Sequence, residues 1–175
     1  MIKYASSLGI LLLSLCPPTT AEDAPKAAKA ELQNAQGQKV GTATFKQAAD
    51  GVNISLQVSS LPPGTHAFHI HTVGKCDPPD FKTAGAHFNP ENLKHGLKNS
   101  AGPHAGDMPN ITVGQNGKGK ATVLNKRVSL GTEANSLFHE GGTALVIHEK
   151  ADDDMTDPAG NAGNRIACGV IEKSK

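Results

Sequence analysis

Tryptophan is absent from these 175 residues, tyrosine occurs once, and aromatic residues make up 3% of the chain. A hydrophobic core must therefore be assembled from Val, Ile, Leu and Ala. Neither sign of charge is in excess: Lys plus Arg number 17 and Asp plus Glu 16, a formal net charge of +1. That balance excludes the strongly basic surface by which proteins hold nucleic acid or bind a membrane surface. No segment carries a sustained helical period, and 19 Gly with 11 Pro point to many turns instead. The longest apolar run, Leu8 to Leu15, is too short to span a bilayer.

That run belongs to a leader. Lys3 supplies a charged start, the apolar run follows, and a Pro-Pro break precedes a small-residue site ending at Ala21. This is the layout of a secretory signal peptide over residues 1–21, leaving residues 22–175 as one exported domain, with the periplasm as its expected compartment. Lipid attachment at Cys16 is not expected, because Leu15 is a poor fit to the small residue such processing prefers. Once Cys16 is removed with the leader, Cys76 and Cys168 remain. In an oxidising compartment an even pair is most simply one disulfide, the alternative being two buried thiols.

What is present reads as strands. VNISLQV alternates Val52, Ile54, Leu56 and Val58 with polar residues, the period of a half-buried antiparallel strand. Strand signals run through 30–60 and return at Thr65–His71, Asn110–Val113, Lys118–Leu124, Gly142–Ile147 and Arg165–Ile171. About eight short strands in a chain of this size predict an all-β sandwich or flattened barrel. Two long gaps break the pattern, Thr72 to Pro109 and Glu149 to Asn164. Loops of that length inside a compact domain are functional or disordered, and their content favours function.

The stretch FHIH places His69 and His71 two apart on a strand, so both imidazoles share one face while Phe68 and Ile70 take the other. By itself this fits a ligand pair and a surface or core pair equally well. The first long loop adds His87, His95, His104 and Asp107, spaced so that one loop could wrap a cation with three nitrogens and an oxygen, a set suited to zinc. His69, His71 and His148 lie on or at the ends of strands, and an all-imidazole set suits copper or another redox metal. His66 falls off the face of the FHIH pair and reads as a hydrogen-bonded structural residue; His139 reads as a loop residue. Neither is expected to be a ligand.

The order FHIH, GAHFNP, KHG, HAGD, VIHEKADD and GNRIACGVI resembles the copper/zinc superoxide dismutases, specifically the exported bacterial kind, over nearly all of residues 22–175. The resemblance implies a Greek-key, eight-stranded flattened barrel with two long functional loops. It implies one copper per subunit on His69, His71, His148 and His87, and one zinc on His87, His95, His104 and Asp107, with His87 shared. Asp152 would join a copper histidine to a zinc histidine, Arg165 would dock the anionic substrate beside the copper, and Cys76–Cys168 would pin the first loop to the strand carrying Arg165. The implied reaction turns two superoxide anions and two protons into dioxygen and hydrogen peroxide, an antioxidant role outside the cytoplasm. Arg165 and His87 would act directly, the first by docking the anion and the second by delivering a proton. The family includes single chains and pairs, which leaves room for a homodimer.

The second loop departs from the animal pattern, with Pro158 and Ala159 where lysine and threonine are common. Steering of the anion would then fall to Lys75, Lys82, Lys94 or Lys98. Two rival readings use fewer residues: a metal-delivery module would need His69, His71 and His148 but not Arg165, and a structural zinc domain would need only His87, His95, His104 and Asp107. For Arg165 the plain alternative is a surface charge pairing with an Asp near 152–157.

Overall fold

The computed structural model describes residues 26–174, so the leader expected over 1–21, Cys16 included, lies outside the described residues. Ten strands form one antiparallel sheet that curls on itself: β1 Ala27–Gln33, β2 Lys39–Ala48, β3 Gly51–Val58, β4 Gly64–His66, β5 Phe68–His71, β6 Ile111–Val113, β7 Gly119–Asn125, β8 Ala144–His148, β9 Arg165–Val170 and β10 Glu172–Lys173. The spatial order is β4-β6-β7-β3-β2-β1-β9-β8-β5, with β10 added beside β1. Non-sequential neighbours, among them β7–β3, β1–β9 and β8–β5, mark the crossovers of a Greek key. Among the described residues no helix is long and apolar enough to cross a membrane.

Closure depends on one segment. β4 and β5 are separated by Ala67 alone, yet β4 pairs with β6 at one end of the strand order and β5 with β8 at the other. Ala67 holds the corner, accepting from the His148 amide at 2.9 Å and donating to the Lys150 carbonyl at 2.8 Å. Counted as one bent strand, with β10 a two-residue extension beyond Ile171, the set reduces to the eight strands expected from the sequence.

Strand alternation sends one set of side chains into the barrel. Phe45, Ile54, Leu56, Phe68, Ile70, Leu145 and Ile147 are fully buried in the main core, which is otherwise Val, Leu and Ala with Phe88, Met108, Ile111 and Ile171. The opposite faces of β5, β8 and β9 are covered as well, by the two long loops. Phe81, Ala84, Ala144, Val146 and Cys168 form a second small cluster beneath the first loop, and Cys76–Cys168 is a disulfide with Cα atoms 5.6 Å apart.

Backbone hydrogen bonds dock that loop on the outer edge of β5. Thr72 donates to Ala86, Phe88 donates to Ile70, and Ile70 donates to Gly106, at 2.8–3.0 Å. At Gly106 the strand and loop come so close that a Cβ would overlap the Ile70 carbonyl oxygen, so a side chain there would push the loop off the strand. The loop's histidines are thereby carried over the face that bears His69 and His71.

Candidate metal centre

On β5, His69 and His71 project away from the barrel core, as the period of two requires. His148 ends β8 on the same surface, opposite Ala67, and a register shift after Ile147 sets it across from Arg165. His87 approaches from the loop and forms an isolated bridge with His71. Four atoms, one nitrogen from each of His69, His71, His87 and His148, lie within 4.8 Å of one another, all on buried residues.

The outer hydrogen bonds decide which nitrogen each ring presents. His71 donates Nδ1–H to the Gly85 carbonyl at 2.9 Å, and His148 turns Nδ1 toward the Gly163 carbonyl at 3.5 Å. Their Nε2 atoms therefore face each other as lone pairs, 3.4 Å apart. His69 donates Nε2–H to Asp152 Oδ2 at 2.7 Å, and His87 donates Nδ1–H to Asp107 Oδ1 at 3.0 Å. That leaves His69 Nδ1 and His87 Nε2 buried with no partner. Orphaned buried acceptors cost roughly 1–3 kcal/mol each, and lone pairs aimed at one point repel. A cation at that point would satisfy all of them, so the group fits a metal bound by four imidazoles.

A second group lies on the other side of the His87 ring: His87, His95, His104 and Asp107, again within 4.8 Å and buried. Asp107 is anchored through Oδ2, which accepts from the amides of Gly96 and His104, both at 2.9 Å. Its Oδ1 is left facing the Nδ1 atoms of His87, His95 and His104 at 3.0, 3.1 and 3.5 Å. Three nitrogens and one carboxylate oxygen are a tetrahedral zinc set. His87 offers a different nitrogen to each group, so one imidazole separates the two.

Asp152 spans the same gap from outside. Its Oδ2 accepts from His69 and its Oδ1 from His95 Nε2 at 3.0 Å, joining one histidine of each group. Asp157 Oδ1 accepts from the His95 amide at 2.8 Å and lies 4.0 Å from His104 Nε2. Such carboxylates fix the tautomer and orientation of metal-binding rings.

The titration of these groups follows their surroundings. Burial holds His71 well below its usual value, takes His148 down to about 3, and takes His87 to about 4 against the pull of Asp107. His95 moves the other way: burial opposes its charge, but Asp107 and Asp152 together raise it to about 10. Asp107 and Asp152 are held far below the carboxylate range; burial pushes each upward but is outweighed by hydrogen bonds, from His104, His87 and His95 onto Asp107 and from His69 and His95 onto Asp152.

Arg165 is half-buried and does not pair with an Asp of the second loop. Its Nη1 donates to the Phe81 carbonyl at 2.7 Å and its Nη2 to the Gly85 carbonyl at 2.6 Å, the same oxygen that receives His71. The guanidinium is thus held by the first loop, one hydrogen bond away from a residue of the four-imidazole group. His66 spans the carbonyls of His148 and Pro62, both at 2.9 Å, and belongs to neither group. His139 stacks on Phe88 with ring centroids 5.3 Å apart, also outside both.

Several participants carry no sequence signal. The carbonyls of Phe81 and Gly85 act through the backbone. Asn110 holds Asp152 by its backbone, accepting from the amide at 2.8 Å and donating to the carbonyl at 2.9 Å. Of the lysines considered for steering, Lys82, Lys94 and Lys98 are each paired with a carboxylate, Asp80, Asp157 and Asp154 respectively, at 2.7–3.0 Å.

Comparison with known proteins agrees with this geometry. A family model described as copper/zinc superoxide dismutase matches residues 39–171. Two copper-zinc superoxide dismutases of Aquifex aeolicus (strain VF5) are 57% and 56% identical over 145 and 146 residues, each alignment covering 82% of this chain and 86% and 85% of the respective relative. The crystal structure of a double mutant of a SOD-like protein from Bacillus subtilis superposes with a TM-score of 0.79 at 43% identity, covering 81% of this chain and 95% of that one.

Proposed function

This chain belongs to the copper/zinc superoxide dismutase family, and from that premise we propose that it converts superoxide to dioxygen and hydrogen peroxide outside the cytoplasm. His69, His71, His87 and His148 would hold copper, and His87, His95, His104 and Asp107 would hold zinc, with His87 shared. The observation that carries this reading is the orphaned pair His69 Nδ1 and His87 Nε2, aimed at the same point as the opposed Nε2 atoms of His71 and His148.

When bound, copper would supply the one-electron couple that takes an electron from one superoxide and returns it to the next, while zinc would supply a fixed positive charge. The chain's own residues do the rest. Arg165 stays cationic at every relevant pH and offers several donors, so it would dock the incoming anion. Its two hydrogen bonds to loop carbonyls support this role, since they fix the guanidinium before substrate arrives. Whenever its Nε2 is not given to copper, His87 would take a proton from water at that atom and pass it to the product peroxide. Asp152 would keep His69 and His95 in the tautomers that leave their Nδ1 atoms for metal.

An exported location is supported by the leader-like segment and by the disulfide, which persists in oxidising compartments. Metal analysis of the reconstituted protein, with a superoxide-consumption assay, tests the whole reading. One copper, one zinc and rapid consumption are expected. Both metals without activity would instead indicate a delivery module, and zinc alone a structural domain.

A further inference from the structure

Asp152 can join the two metal-holding groups only while its carboxylate stays between His69 and His95, and something must keep it there. From one side Asn110 fixes its backbone. On the other side lies Gly160, buried and in the left-handed region at φ 61°. A Cβ at that position would overlap Asp152 Oδ1 and sit 2.7 Å from His95 Nε2. The glycine cannot retreat, because its amide donates to the Thr156 carbonyl at 2.7 Å and its carbonyl accepts from Asp153 at 3.0 Å.

We propose that Gly160 is a positioning residue for the zinc group: its bare backbone closes over Asp152 and holds Oδ1 on His95. This rests on the metal assignment above and deepens it. The nearest atoms to that Cβ are Oδ1, the carboxyl carbon behind it and His95 Nε2, so a side chain at 160 strikes first on the oxygen that faces the zinc group. With Oδ1 displaced, His95 Nε2 loses its acceptor, and the ring loses the tautomer that presents Nδ1 to a cation. Removing an outer hydrogen bond of this kind typically weakens metal binding by about 10–100-fold.

The test compares metal-free native protein with Gly160→Ala, Asp152→Ala, the double variant and Gly142→Ala in zinc titrations against a chromophoric chelator. Cobalt(II) absorption serves as a second probe of the same group. Gly142 also sits in the left-handed region, at φ 62°, but a Cβ there meets nothing closer than 3.5 Å. It therefore carries the backbone cost of alanine without the collision. Gly160→Ala should lose about 10–100-fold in zinc affinity and alter the cobalt spectrum. Gly142→Ala should do neither, and Gly160→Ala should add little once Asp152 is already alanine.

Native zinc affinity in Gly160→Ala, an equal loss in Gly142→Ala, or independent losses in the double variant would each overturn the inference while leaving the metal assignment standing. A native chain that takes up no zinc would remove both. If Gly160→Ala folds only when combined with Asp152→Ala, the collision is established directly. If neither form folds while Gly142→Ala does, Gly160 is a folding residue and the proposal fails.

Discussion

The Arg165 guanidinium donates to two backbone carbonyls and to none of the grouped imidazoles or Asp107, so its effect on substrate can be read apart from metal content. Arg165→Ala should lower superoxide consumption several-fold or more with copper and zinc still bound at one each; turnover at the native rate would remove its docking role. Buried imidazoles also set how the metal-free protein responds to acid. His87 and His148 stay neutral in the fold down to about 4 and about 3, whereas in the unfolded chain they take a proton near the ordinary histidine value. Between those limits the unfolded state binds more protons, so stability falls as pH drops from about 6.5 toward 3. His95, raised to about 10, binds more protons in the fold, and its contribution fades as pH rises from about 6.5 through 10. Urea titrations of metal-free protein should therefore give a midpoint that peaks near neutral pH and declines on both sides. A flat profile would contradict these buried charges. At this scale the seven proposed ligands, Asp152 and Arg165 were legible in the sequence, because side-chain chemistry and motif order mark them. Asn110, Asp157 and Gly160 were not, since their work depends on backbone geometry that only the folded loops create.

Among the elements, alternation marked the buried face of β3 and put His69 and His71 together on one surface of β5, while burial of that surface as well, under the long loops, was not legible. The break at Ala67 and the register shift after Ile147 left no local trace, because each is fixed by pairing with a distant strand. The expected strand Gly142–Ile147 begins at Ala144 and runs on to His148, and this extension, with the register shift before it, brings His148 onto the surface that bears His69 and His71. The disulfide has its consequence here. It joins residues 92 apart, and the chain-entropy model credits such a closure with about 4.5 kcal/mol, less any native strain. It also ties the segment presenting the Phe81 and Gly85 carbonyls to the strand bearing Arg165. Cys76→Ser should lower the melting temperature and, below that temperature, reduce turnover more than metal content. Equal loss of both would mean the bond only stabilises the barrel.

Over the molecule as a whole, a net charge of +1 and three committed lysines leave little long-range field to gather anions. Lys75 is exposed, and Arg165 acts at short range. Consumption of superoxide should change only modestly with ionic strength, well short of the roughly 10- to 1,000-fold gain that strong steering supplies. A steep fall with added salt would mean the lysine pairs open in solution. The bend at Ala67 bears on how this molecule comes apart. The eight residues from Gly64 to His71 are at once the seam of the cylinder and the seat of His69 and His71, two of the four grouped imidazoles. A seam of that kind cannot fray quietly, for any opening there scatters half of the proposed copper set. Release of copper should accordingly keep step with exchange of the Ile70 amide in deuterated solvent, the clock of one event being readable from the other.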